Sequence, residues 1–144
     1  MHFGVDQGDL AEVIVPNDLR SAKRAEDRIM AELARYGYDS DTSFAIKLSL
    51  EEAITNAVKH GNKNDPAKRI VVRFQITVQR TVIMVADDGT GFSPEKVPDP
   101  TADKNLERPN GRGIMLMHAY MTKVWFSETG NEVWMLKDRR EATP

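Results

Sequence analysis

Glu52 and Asn56 stand four residues apart in Ser49-Leu-Glu-Glu-Ala-Ile-Thr-Asn-Ala-Val-Lys-His-Gly61. On a helix they lie one above the other. A carboxylate there can orient or deprotonate a hydroxyl, and an amide oxygen can hold a hard cation. By itself the pair equally reads as the solvated flank of an amphipathic helix. Lys59, next along, can reach a phosphate, and His60 reads as packing or capping the helix end. A second stretch, Asp87-Asp-Gly-Thr-Gly91, sets a carboxylate before two glycines. A carboxylate at a strand end can accept a hydrogen bond from an exocyclic amine such as that of adenine. The glycines let backbone approach a flat ligand without a Cβ in the way. Taken alone, the same residues make an ordinary turn. Third, Gly111-Arg-Gly113 opens a helix after a loop. Free N–H groups at such a start suit a phosphate, and Arg112, Arg108 and Lys104 can add charge. A flexible helix entry is the plain alternative. The chain has no Gly-x₄-Gly-Lys-Ser/Thr loop and no strand leading directly into this Gly-x-Gly.

The elements that must position these residues emerge from periodicity. Leu10–Pro16 reads as a strand ended by proline, and Asn17 or Asp18 as the cap of a first helix. Leu19, Ala22, Ile29, Met30, Leu33 and Tyr36 recur at helical spacing, and Gly37 ends that helix. Several polar residues in Asp39–Ser43 can cap a second helix, expected from about Thr42 to His60 and stopped by Gly61. Ile46, Leu50, Ala53, Ile54 and Ala57 fall on one side of it, the face that packs on a sheet. Ile70–Val78 alternates, Gln79-Arg-Thr81 is the expected hairpin turn, and Val82–Ala86 is apolar enough for a central strand. Residues 92–110 hold four prolines and read as a lid. A short buried helix and a hairpin around Glu128–Asn131 complete the chain. The ends, 1–8 and from Arg139 on, read as loose. The order β-α-α-β-β-loop-α-β-β predicts an α+β, two-layer sandwich: a mixed, mostly antiparallel sheet with helices on one face. The free sheet face needs a cover, for which Trp125 and Trp134 are candidates, although core packing suits either better.

The bulk composition narrows the function. The chain of 144 residues fits one domain, 1–144. A net charge of −2 points away from nucleic acid and anionic membrane. The absence of cysteine removes disulfides and thiolate chemistry. No apolar run is long enough to span a bilayer, and no leader pattern opens the chain, so a cytoplasmic protein is expected.

Together the three motifs resemble the Bergerat-type ATP-binding domain of the histidine-kinase-like (GHKL) ATPases. Glu52–Asn56 is similar to its N box, Asp87–Gly91 to its first glycine box and Gly111–Leu116 to its second. Within that family the chain most resembles the RsbW/SpoIIAB-type anti-sigma factors, which are serine-protein kinases. Glu52–Gly61 and the segment Pro98–Gly113 carry that likeness. The resemblance implies ATP and Mg²⁺ as cofactors, Glu52 as catalytic base and Asn56 as the magnesium ligand. It implies Asp87 as the adenine contact and Gly89 and Gly91 as shapers of the adenine pocket. Gly111 and Gly113 would bring backbone to the phosphates. Arg24 lies roughly where the family has an arginine used in partner contact. The family's partners are a sigma factor and a STAS-domain anti-anti-sigma protein, and the family suggests a homodimer through the sheet. Gly130-Asn131 departs from the family's Gly-Thr, which bears on adenine binding. A nucleotide-regulated binding module without phosphotransfer, and an ATPase without a protein acceptor, are the competing readings.

Overall fold

The computed structural model describes residues 3–88 and 109–139, apart from the side chains at 7 and 109–112. A short turn of 3₁₀ helix, Gln7–Asp9, leads into β1, Ala11–Pro16. Asp18 caps α1, Leu19–Arg35: its carboxylate accepts from Ser21 N at 2.6 Å, and this contact holds its pKa below the usual carboxylate value. Gly37 leaves the helix at φ 74°, as a left-handed stop requires. α2, Ser40–Asn56, is capped by Asp39 through Thr42 N, two residues before the expected start. β2 is Arg69–Ile76, β3 Arg80–Asp87, α3 Pro109–Tyr120, β4 Lys123–Phe126 and β5 Glu132–Asp138.

Among the described residues five strands run in the order β1-β2-β3-β5-β4, and every pair is antiparallel. The predicted central strand, β3, is indeed in the middle. Its turn from β2 comes earlier than expected, at Thr77–Gln79. Thr77 N donates to Arg80 O at 2.9 Å, and the Thr77 hydroxyl accepts from Gln79 N and Arg80 N. That hydroxyl supplies the local hydrogen bonding of the turn, and no glycine is needed.

The helices α1, α2 and α3 lie on one face of the sheet. Ala22, Ala25, Ile29 and Leu33 of α1 join Ile46, Leu50, Ala53 and Ile54 of α2 in the main core. Ile114 and Met117 of α3 meet the same cluster. Against them stand Ile70, Val72, Phe74 and Ile76 of β2, alternate residues as the period of two demands, with Ile83 and Val85 of β3. The helix expected to be buried is so only in part: His118 and Ala119 are exposed, because α3 rests on its neighbours along one side only.

The other sheet face has a cover of its own. Val82 and Met84 of β3 pack with Trp134 and Leu136 of β5 and with Val5, which is 3% exposed. Phe3 and Leu10 border this cluster. The N-terminal segment is therefore tied down from Phe3 onward, because the apolar side chains of β3 and β5 would otherwise face water. Trp134 is core and Trp125 is partly exposed. At the other end Arg139 is not loose either. Its guanidinium donates to Tyr36 O at 2.8 Å and Gly37 O at 2.6 Å, and stacks over Tyr38. It thereby neutralises the carbonyl end of α1.

Candidate functional site

Glu52 and Asn56 sit half-buried at the end of α2, on the side that meets α3. Glu51 turns instead toward α1 and is exposed. The contact with α3 is made at Gly113. A Cβ there would stand 2.9 Å from Glu52 Oε2, 3.3 Å from Asn56 Nδ2 and 3.6 Å from Asn56 Oδ1. The missing side chain lets the two helices close over the carboxylate and the amide. α3 begins at Pro109, two residues before the expected Gly111, so Pro109 and Asn110 of the expected lid are helical. Proline suits a first turn, where an N–H would have no helical partner. By helix geometry the unpaired donors are those of Asn110 and Gly111, whereas Gly113 N–H lies inside the ladder.

Asp87 closes β3 opposite Ile70, and its N–H donates to Asn131 O at 3.0 Å. Its carboxylate lies against Gly61. A Cβ at Gly61 would fall on that carboxyl group, with even the farther oxygen, Oδ1, only 2.8 Å away. Gly61, the expected helix stop, does not have a left-handed φ. The chain turns instead at Lys63 and Asn64, with φ of 51° and 59°. What Gly61 provides is room for Asp87.

The backbone delivers Gly61 there by an unusual route. After Asn56 the helix widens into a π turn, Ala57–Gly61, closed by Asn62 N donating to Ala57 O at 2.7 Å. Such turns recur at functional sites because one extra residue re-aims the chain beyond it. Here Ala57, Val58 and Gly61 face inward while Lys59 and His60 are exposed. Asn62 comes next and is fully buried. Its amide donates to Asn17 Oδ1 and to Arg69 O, and its oxygen accepts from Asp88 N at 2.8 Å. Asn17 in turn donates to Asp65 O at 3.0 Å. This network anchors the backbone directly after Asp87 to the end of α2. Asp88 points elsewhere: its carboxylate accepts from Arg69 N at 2.8 Å.

The structure thus brings together Glu52, Asn56 and Gly113 at one point and Asp87 and Gly61 at another, joined by a single π turn. Gly111 lies in the first turn of α3. Gly89, Gly91, Lys104, Arg108, the Arg112 side chain and the lid through residue 108 lie outside the described residues. Asn131 directs its side-chain oxygen to Thr129 Oγ1 at 2.5 Å and Ser127 Oγ at 3.2 Å, inside its own hairpin. Among the described residues no three of His, Cys, Asp and Glu gather as a metal cage. One amide oxygen beside one carboxylate fits magnesium, which keeps waters and substrate phosphates as its other ligands.

Residues 15–137 match the family described as histidine kinase-like ATPase domain. The chain belongs to the histidine kinase-like ATPase family. Among its relatives, serine-protein kinase RsbW of Bacillus subtilis (strain 168) is 32% identical over 99 residues, covering 63% of this chain and 61% of that protein. The chain thus spans about three fifths of that relative's length. Serine-protein kinase RsbW of Staphylococcus aureus (strain JH9) is 28% identical over 137 residues, covering 90% of this chain and 86% of that protein. A crystal structure of the RsbU and RsbW domains of Rv1364c from Mycobacterium tuberculosis superposes with a TM-score of 0.62. It covers 94% of this chain and 33% of that one at 16% identity, a likeness of fold.

Two residues of this ATPase domain escape a reading of its motifs. Gly61 and Asn62 come after a helix and both suit a helix end, so local signals explain them fully. Only the tertiary approach of β3 reveals that the first seats a carboxylate and the second holds the strand that carries it.

Proposed function

We propose that the chain is an ATP-dependent serine/threonine protein kinase and anti-sigma factor. It would phosphorylate a STAS-type anti-anti-sigma protein and bind a sigma factor. The observation that carries this reading is the closure of Gly113 over Glu52 and Asn56, with Asp87 seated on Gly61 beyond the same helix end. The RsbW relatives, named as serine-protein kinases, support the reaction class.

In this reading Asp87 accepts the adenine amine, and Gly89 and Gly91 give the base a flat approach. Asn56 Oδ1 would be the protein ligand to magnesium, which when bound would neutralise charge on the phosphates. Gly111 N–H, Lys59, Arg108 and Arg112 complete the phosphate side, while Gly113 lets α3 close over Glu52 and Asn56. Glu52 holds the acceptor hydroxyl of a serine or threonine and receives its proton. The hydroxyl oxygen bonds to the γ-phosphorus while the bond to the β–γ bridging oxygen breaks, and ADP leaves with that electron pair. Because transfer is largely positioning, the fixed place of Glu52 under α3 is what the fold contributes most directly.

No helix among the described residues is long and apolar enough to cross a membrane; a cytoplasmic location belongs to the proposed anti-sigma role. A homodimer through the sheet would have to include the segment around Val5, which already covers that face.

The test is incubation with ATP, magnesium and the STAS-domain protein encoded nearest to it, read by mass spectrometry for phosphoserine or phosphothreonine. Glu52→Ala should abolish transfer and keep nucleotide binding. Binding without transfer in the unaltered protein would leave a nucleotide-regulated binding module in place of a kinase.

A further inference from the structure

β2 and β3 separate directly after Asp87, and the manner of their separation is specific. In an antiparallel ladder, pairs that exchange two backbone hydrogen bonds alternate with pairs that exchange none. Asp87, opposite Ile70, turns its N–H away from β2, to Asn131 O beside β5. The next pair, Asp88 with Arg69, would therefore exchange both bonds. The ladder ends instead at Ile70 and Asp87, and the groups beyond it find side chains. Asp88 N–H donates to Asn62 Oδ1 at 2.8 Å, and Asn62 Nδ2 donates to Arg69 O at 2.9 Å. Arg69 N–H donates to the Asp88 carboxylate at 2.8 Å, where a ladder would offer it the Asp88 carbonyl. The Asn62 amide thus stands between the strands as one inserted, peptide-like group.

The orientation of that amide is fixed by its neighbours. Its second hydrogen goes to Asn17 Oδ1 at 2.9 Å, and the Asn17 amide donates onward to Asp65 O at 3.0 Å. With both Asn62 hydrogens engaged, its oxygen is left for Asp88 N–H. The Asn62 backbone is held as well: its N–H donates to Ala57 O at 2.7 Å, and its carbonyl accepts from Asp65 N at 3.0 Å. Asn62 is fully buried, so a misplaced amide would leave polar groups without water or partner. A solvated turn after a strand needs none of these contacts.

We propose that Asn62 and Asp88 are the positioning pair that sets the adenine specificity of this site, a role that rests on Asp87 as the contact to the exocyclic amine. A hydrogen bond selects one base only while its acceptor is held to within about half an ångström. Asp87 occupies the last rung of the ladder, where a strand otherwise frays. The Asn62 amide and the Asp88 carboxylate supply one rung more without bringing the strands back together. Asp87 is thereby clamped from both sides, by its pairing with Ile70 and by the spliced rung at Asp88. Both residues act through Asp87 and not on the nucleotide.

The experiment measures, by calorimetry on the full chain with magnesium, the affinity for ATP and for purine riboside triphosphate, which lacks only the exocyclic amine. The unaltered chain should prefer ATP by roughly tenfold or more, the worth of a hydrogen bond to a charged acceptor. Asn62→Ala and Asp88→Ala should each cut that ratio by roughly threefold or more. Leu33→Ala, a fully buried position at the far end of α1 from Asn17, should lose stability and keep the ratio. Asp88 is exposed, so its variant keeps the fold even where Asn62→Ala does not. No preference in the unaltered chain would remove the adenine reading itself, and this role with it. An unchanged ratio in folded Asn62→Ala, or in Asp88→Ala where Asn62→Ala does not fold, would overturn the proposal and leave the adenine reading intact. An equal fall of the ratio in Leu33→Ala would overturn it too, by reducing the pair to general support of the fold.

Discussion

Replacing Gly61 by alanine tests the seat of Asp87 with one methyl group. The backbone at Gly61 is not left-handed, so alanine is tolerated locally. In a helical turn it even gains about 0.5–1 kcal/mol over glycine. The methyl, however, falls on the Asp87 carboxyl group, with Oδ1 at 2.8 Å the farthest of its three atoms. The carboxylate must swing away, while the Asn62 network keeps its backbone in place. A hydrogen bond to a charged acceptor contributes about 1.5–3 kcal/mol. Its loss corresponds to roughly 10- to 150-fold weaker ATP binding. Equilibrium dialysis with labelled ATP, beside thermal melts of both proteins, separates the two effects. The expected result is weakened ATP binding with a melting temperature near that of the unaltered chain. Unchanged affinity in a folded variant would mean that Asp87 does not read the base from this seat.

The same geometry sets other outcomes. Gly113→Ala places a methyl 2.9 Å from Glu52 Oε2, the mobile tip of a side chain, so stability should hold within about 1 kcal/mol. Displacing that carboxylate by about half an ångström should slow phosphotransfer roughly tenfold, measured in single turnovers. Leu50→Ala, at a fully buried position under the site, should cost about 2–5 kcal/mol in urea unfolding. Glu51 has a raised pKa when folded, so its contribution to stability is complete below its unfolded value and is lost as pH rises through the folded one. Glu51→Gln should therefore gain on the unaltered chain from mildly acidic to neutral pH, as denaturation at several pH values would reveal. Tyr38→Phe removes the hydroxyl that donates to Thr77 O at 2.6 Å and should cost about 1 kcal/mol by the same unfolding measurement.

Much of this architecture is legible from side-chain period alone. Ile46, Leu50, Ala53 and Ile54 are buried as their spacing predicts, and the apolar run Val82–Ala86 marks a strand with neighbours on both edges and covers on both faces. The motif residues Glu52, Asn56 and Asp87 can be singled out by type and spacing. What stays illegible depends on contacts between distant parts. Asn17 and Asp18 are equal as caps by propensity. Asp18 takes the cap, and Asn17 is buried because Asn62 needs a partner. The π turn has no local signature, since Ala57–His60 would continue an α-helix equally well. Val5 looks like part of a loose end until β3 and β5 present an apolar face to it. The hairpin turn falls earlier than its composition suggests because a threonine hydroxyl takes the place of glycine.

Calorimetric titration of the full chain with ATP and magnesium, beside Asp87→Asn and Asn56→Ala, asks whether Asp87 reads adenine and Asn56 holds magnesium. The unaltered protein should prefer ATP to GTP, Asp87→Asn should lose that preference with about tenfold or more in affinity, and Asn56→Ala should lose the dependence on magnesium. Equal binding of ATP by the unaltered protein and Asp87→Asn, or no binding by either, would mean that this is not an adenine site.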